Sequence, residues 1–310
     1  MKTTAASLCL GVLVTMAQGA HAAEDYPSKP VEFIVPWPPG GEEDVLTRMI
    51  AEQFQKMNGV PAAVVNKPGG GGGPFPGAVE VAMAPADGYT VGSFVLGVPV
   101  VGPQLGIPQL DPDPFVPVGI FLTYPFVIAT SSDAPYDSME ELAEYARTND
   151  VTLGHFGAAL VPTRVTLDLA EEMSFEFASD AAFDNVDCNT LASGDADVVN
   201  SVVSLIAPCM EDVKVLATVT EKRLGLLPDV PTVAEIAPSL DIVLWNGLFV
   251  REGTPDSAIA KIEAAARAAI ESPEAQDYAA GNGAELYWKD RAAAERQIRD
   301  DIEAFGQLGD

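Results

Sequence analysis

Histidine, cysteine and basic residues are all scarce in this chain, and each shortage closes off a class of function. Only two histidines occur in 310 residues. His21 falls in a stretch that reads as a removable leader, so any catalytic imidazole would have to be His155. A lone histidine beside Phe156 reads as a satisfied structural residue rather than a member of a triad. Lysine and arginine total 17 against 45 aspartates and glutamates, a formal net charge of −28. Such a chain repels nucleic acid and anionic membrane surfaces. The three cysteines, Cys9, Cys188 and Cys209, lack the close pairing of a zinc site. No Gly-x-Ser-x-Gly elbow occurs, and no phosphate loop ending in Gly-Lys-Ser/Thr. The five-glycine run Gly69 to Gly73 leads into Pro74 instead. No stretch reaches the roughly 18 uninterrupted apolar residues of a membrane-spanning helix.

What is present is an ordinary globular composition, 48% hydrophobic and 20% charged, in a length that suits one large domain or two of common size. The first residues carry one lysine, an apolar stretch from about Ala5 to Met16, and the small-x-small sequence Ala20-His21-Ala22. That pattern is a secretory signal peptide, taken as residues 1–22. Cys9 lies inside the apolar stretch with Leu8 before it, a poor fit to a lipidated cysteine. A soluble exported, periplasmic protein is expected. Cys188 and Cys209 would meet an oxidising compartment, where a disulfide forms if the geometry allows; the sequence leaves that open.

From Val31 short β-rich runs alternate with helical patterns, which argues for an α/β protein with parallel sheets covered on both faces. Strands are expected at Val31–Val35, Ala62–Asn66, Tyr89–Leu96, Phe126–Thr130, in Ala196–Leu205 and at Val213–Val219. Helical spacing follows Gly41, with Val45, Met49, Ile50, Phe54 and Met57 on one face and Asp44 and Arg48 placed to pair across a turn. Asp137 or Ser138 can cap a helix over the next residues, and two helices close the chain from Asp256 and Arg291. In such sheets ligands bind where strand ends lead into helices. Three loops of this kind are rich in glycine or small residues: Trp37 to Asp44, Gly69 to Gly73, and His155 to Thr163. A binding cleft is expected there.

The first of these loops poses a question. A helix start is an anion cradle, because its first amides are unpaired and its dipole is positive, yet Glu42, Glu43 and Asp44 already occupy it. Residues just inside a helix project away from its axis, so Glu42 and Glu43 are expected to point to solvent and leave the amides of Gly40 and Gly41 free for a carboxylate. The alternative is that a glutamate faces the cleft and selects a solute bearing a donor or a positive charge. The acidic stretches Asp111–Pro114 and Ser179–Asp187 lack the twelve-residue calcium loop and read as solvated turns.

The run YPSKPVEFIVPWPPGGEEDVLTR resembles the amino-terminal signature of the Bug-type receptors, the extracytoplasmic solute-binding proteins of tripartite tricarboxylate transporters. Tyr26, Pro27, Lys29, Pro30, Pro36, Trp37, Gly40, Gly41, Asp44 and Arg48 fit it. Further matches follow in order: VVNKPGGGGG, APADGYT, LLPDVPTVAE and WNGLFVREGTP. The resemblance implies a type II periplasmic-binding-protein fold, two α/β lobes joined by a two-crossing hinge with a ligand cleft between them. Residues 23–123 plus 245–310 would form the first lobe and 124–244 the second. It also implies a monomeric receptor with no enzymatic activity, no cofactor and no metal, which captures a small organic carboxylate and delivers it to large and small integral membrane subunits driven by an ion gradient.

The ligand-binding residues the resemblance points to are Trp37, Pro39, Gly40, Gly41, Glu42 and Asp44 of the first loop and Gly71, Gly72 and Gly73 of the second. Gly97 follows the third strand, Gly157, Ala158, Thr163 and Arg164 belong to the third loop, and Ser201 lies further on. The chain departs from the family pattern in three places. Val95, Leu96 and Val98 stand where polar residues are common, so that wall should be more apolar. Arg164 stands where histidine is common and can grip a carboxylate with two bonds. Ser201 and Val202 replace an Asp-Asn pair that faces a ligand amine. Competing readings are a ligand sensor of the same fold acting on a membrane kinase, a receptor for an amine-bearing or cationic solute, and, weakest, a hydrolase.

Overall fold

The computed structural model describes residues 26–69 and 73–306. The expected leader, Cys9, Gly71 and Gly72 lie outside the described residues. Among the described residues eleven strands are arranged in two sheets: β1 (Val31–Val35), β2 (Ala62–Asn66), β3 (Thr90–Val95), β4 (Phe115–Thr123), β5 (Phe126–Ser131), β6 (Thr152–His155), β7 (Ser179–Ala182), β8 (Val198–Val202), β9 (Val213–Val219), β10 (Trp245–Arg251) and β11 (Glu285–Asp290). The first sheet runs β11-β4-β10-β3-β1-β2 and the second β7-β6-β8-β5-β9.

Neither sheet is wholly parallel, which corrects the expectation from the alternating pattern. β1 lies parallel to β2 and β3, and β6 parallel to β7 and β8, as helical crossovers require. β10 is antiparallel to β3 and β4, and β5 to β8 and β9. These two strands enter their sheets from the other half of the molecule, not by a crossover helix, so nothing forces them parallel. Two strands that carry the arrangement, β4 and β11, have no alternating signal. β7 occupies part of the acidic stretch read as a turn, and it is an exposed edge.

Only Tyr124 and Pro125 separate β4 of one sheet from β5 of the other, and the chain returns through Leu244 into β10. The two crossings lie side by side: the Tyr124 amide donates to the Leu244 carbonyl at 2.8 Å, and the Leu96 amide to the Trp245 carbonyl at 3.0 Å. Trp245 is anchored by its indole N–H, 2.6 Å from Asp301 Oδ2.

The helix Glu42–Asn58 follows the expected pattern. Leu46, Ile50 and Phe54, four apart, are buried, and Gly59 ends the helix in the left-handed region. Ser138 supplies the cap of the Met139–Ala146 helix by accepting from the Glu141 amide. Cys188 and Cys209 form a disulfide with Cα atoms 5.9 Å apart. It ties the segment after β7 to the short helices after β8. Among the described residues no helix is long and apolar enough to cross a membrane, and no three His, Cys, Asp or Glu residues gather as a metal site.

Candidate solute site

The loops that leave β1, β3, β6 and β8 on facing ends of the two sheets enclose a narrow cavity of about 60 Å³ next to the paired crossings. Four aromatic rings form much of its wall. Trp37 and Phe156 meet at 5.6 Å and 76°, Phe126 and Phe156 at 6.0 Å and 83°, and Tyr124 and Phe126 at 5.8 Å and 71°. Successive edge-to-face contacts turn neighbouring rings almost at right angles, so together they make an open box. Aliphatic side chains, among them Val95, Leu96, Leu160 and Val202, complete the wall. The apolar surface expected at Val95 and Leu96 is present.

The polar groups on that wall are led by two acids. Glu42 and Glu43 both line the cavity and both are buried, so the expectation that they point to solvent fails. The helix start is roofed by the second sheet's loops, and there is no solvent on that side for a side chain to reach. Neither carboxylate oxygen of Glu42 has a hydrogen-bond partner. Burial raises its pKa, an effect only partly offset by Ser204, which follows β8 and faces it. Glu43 folds back over Gly41. Burial first, and the neighbouring charge of Glu42 after it, push its pKa up to about 8. Asp184 and Asn185 add polar atoms from the loop after β7, and among the described residues no lysine, arginine or histidine lines the cavity. The indole N–H of Trp37 is buried without a partner.

Asp44 does a different job. Its Oδ2 accepts from the Gly40 amide at 3.0 Å and from Arg48 Nε at 3.0 Å, while Oδ1 accepts from Arg48 Nη2 at 2.9 Å and Asn66 Nδ2 at 2.8 Å. Asn66 Nδ2 also donates to the Trp37 carbonyl. The predicted pair with Arg48 is real, but it belongs to a latch that fixes the loop. The latch occupies one of the two expected cradle amides, because the Gly40 amide already binds a carboxylate of its own chain. Gly40 sits at φ +108°, where a side chain would strain the backbone. Behind the wall a buried chain of bonds joins Thr47, Ser93, Asn246 and Tyr124: Thr47 and Asn246 donate to Ser93 Oγ at 2.9 and 2.8 Å, and Tyr124 donates to Asn246 Oδ1 at 3.1 Å. It connects the helix carrying Glu43 to the crossing.

Of the residues expected at the site, Trp37, Gly41, Glu42 and Gly97 line the cavity. Pro39, Gly40 and Ala158 are exposed around the first and third loops. Gly73 and Gly157 back onto Leu160, which carries the wall in their place. Ser201 spends its hydroxyl on the Val186 carbonyl at 2.5 Å. Thr163 is buried with an unpartnered hydroxyl away from the lining, and Arg164 is half-buried beside Asp168 instead of facing the cavity. His155 is the structural residue expected: Nε2 lies 2.7 Å from Asp180 Oδ1, and Nδ1 accepts from the Gly157 amide at 3.0 Å. Sequence reasoning missed Tyr124, Phe126 and Phe156. Their signal was available as aromatic residues flanking the crossing and the third loop.

Comparison with known proteins matches residues 46–309 to the tripartite tricarboxylate transporter family receptor, TctC. A UPF0065 protein from the tcbD-tcbE intergenic region of Pseudomonas sp. strain P51 is 30% identical over 84% of this chain and 80% of its own length. The periplasmic binding protein BugD superposes with a TM-score of 0.82 at 25% identity, covering 91% of this chain and 97% of that one. MatC from Rhodopseudomonas palustris, solved with bound malate, gives 0.82 at 23% identity over 91% and 99%. The fold is that of the periplasmic binding proteins, as expected.

Proposed function

The chain belongs to the tripartite tricarboxylate transporter receptor family, and we propose that it is an exported receptor that captures one small organic solute between its two sheets. The loaded receptor delivers that solute to the large and small membrane subunits of a gradient-driven transporter. The observation that carries this reading is the cavity itself: both sheets contribute to it, and it lies beside two adjacent crossings that can act as a hinge between lobes 23–123 plus 245–310 and 124–244. We place the solute against Trp37, Gly41, Glu42, Glu43 and Phe156. No nucleophile with an adjacent base stands on this wall, so capture without chemistry is the reading that fits it.

A small carboxylate is the ligand class that MatC's bound malate supports, and the unpartnered Trp37 indole offers it one donor. Thermal unfolding of the purified protein across a library of carboxylates, amino acids and amines tests the receptor reading, since a true ligand raises the melting temperature by mass action. A library in which nothing stabilises the protein overturns it.

A further inference from the structure

Resting on the receptor reading, the structure assigns the cavity to a solute whose bound head is an organic ammonium ion. Three independent features of the wall meet on that chemistry. The first is the group of Trp37, Tyr124, Phe126 and Phe156, four aromatic rings on the wall that pack on one another edge to face. Aromatic faces attract a cation through their quadrupole, most strongly when it is desolvated, and they suit ammonium groups too poorly hydrated to demand many hydrogen bonds. The second is Glu42, fully buried on the wall, with Ser204 facing it and neither carboxylate oxygen within a formed hydrogen bond. Burial favours the neutral acid, and a cation placed beside it favours the ionised one. The third is the absence of any lysine, arginine or histidine from the lining. Arg48 is held in the Asp44 latch, so no basic side chain stands ready to neutralise the glutamates or to grip an anion.

An anionic ligand meets the opposite conditions. It would meet Glu42 and Glu43 on the wall wherever these are ionised, and the Gly40 amide that a carboxylate could otherwise use is held by Asp44. A narrow cavity favours a compact head, such as a methylated or primary ammonium group.

The test is isothermal titration of the purified protein at pH 8 with tetramethylammonium, choline and ethanolamine. 3,3-Dimethyl-1-butanol, the uncharged isostere of choline, and malate are titrated in parallel. At least one ammonium ion binds, choline binds at least tenfold more tightly than its isostere if choline is that ion, and malate binds more weakly than the best cation. Glu42→Gln weakens the best cation at least tenfold. Phe156→Leu, a change outside the acidic helix start, weakens it at least threefold, which keeps the inference testable should the glutamine variant fail to fold. Malate binding with no ammonium ion bound overturns the inference and leaves the receptor intact. Equal affinity for choline and its isostere also overturns it. Silence from every solute here and throughout the wider library overturns the receptor reading itself.

Discussion

The loop after β1 and the loop after β6 are built alike and charged differently. Each leaves a parallel strand, turns through a glycine with positive φ, and starts a helix at the cavity. Each also supplies one aromatic ring, Trp37 from the first and Phe156 from the second, which touch across the gap. The first loop is held by a carboxylate latch on Gly40 and carries Glu42 and Glu43 into the wall. The second is held by a histidine on Gly157 and begins its helix with Val161, Pro162 and Thr163, with no acid in the first turn. In both, one polar side chain satisfies the turn glycine's amide and leaves the wall to other residues. Under the inference above, the first loop carries the charge selection and the second loop contributes shape.

The sharpest way to test that division is pH. Burial pushes the Glu43 carboxyl from its ordinary value of 4.5 up to about 8 in the folded protein. The folded state thus holds a proton that the unfolded chain releases, and stability falls as pH rises between those values. The groups facing it are Glu42 and Asp44 on its own helix, Tyr124 at the crossing, and Tyr278 from the helix Pro273–Asn282. Each pKa unit corresponds to about 1.4 kcal/mol, so the unliganded protein should lose roughly 4 kcal/mol over this window. Urea denaturation at pH 5 and pH 8.5 measures it, and Glu43→Gln should flatten the slope. A slope of unchanged size in Glu43→Gln would move the effect elsewhere. Ligand binding carries its own sign: a cation binds the ionised glutamates, tightens as pH rises and expels a proton, whereas a carboxylate would bind more weakly over the same range.

The second sheet has its own brace. The disulfide closes a loop of 21 residues between Cys188 and Cys209, and such a loop restrains the unfolded chain by about 3 kcal/mol. Cys188→Ser with Cys209→Ser should lower the urea midpoint accordingly. It should also loosen Asp184, Asn185 and Leu205, which precede the two cysteines on the cavity wall. Hydrogen exchange localised to the second sheet would sharpen the comparison, and exchange spread evenly over both sheets would blur it.

Much of this was legible from residues alone. β-branched and aromatic content located the first three strands, and helical spacing located the Glu42–Asn58 helix and the helices that start at Asp256 and Arg291. Neither signal could foresee β4, whose nearly continuous burial leaves no alternation, or the antiparallel entry of β5 and β10, which depends on partners far away in the chain. The same limit governed the site. Asp44 and Arg48 were read as a local pair because four residues separate them, while Glu42's burial is imposed by Ser204 and its neighbours more than a hundred positions later. Local rules place a side chain relative to its helix and say nothing of what covers it.

The latch on the first loop should matter next. Asp44→Ala strands the Gly40 amide and frees Arg48 and Asn66, at a cost of roughly 2 kcal/mol given that Arg48 is half exposed and its share is screened. The variant also reopens the anion cradle. Malate affinity, measured by titration, should therefore rise relative to that for ammonium ions, against the preference inferred for the unmodified protein. If the preference stays put, the latch is only a brace.

The smallest effect is expected on the other side. His155→Leu removes the acceptor for the buried Gly157 amide and leaves Asp180, which is half exposed, free to meet water. The amide alone bears the penalty, so the loss should be about 1 to 2 kcal/mol by urea denaturation. Phe156 would shift with the slackened loop, and ligand affinity should fall a few-fold for every solute alike. The ratio of choline to its neutral isostere should not move, because no charge facing the cavity has changed. A changed ratio would mean that the second loop also takes part in charge selection, and the division between the two sides of the cleft would have to be redrawn.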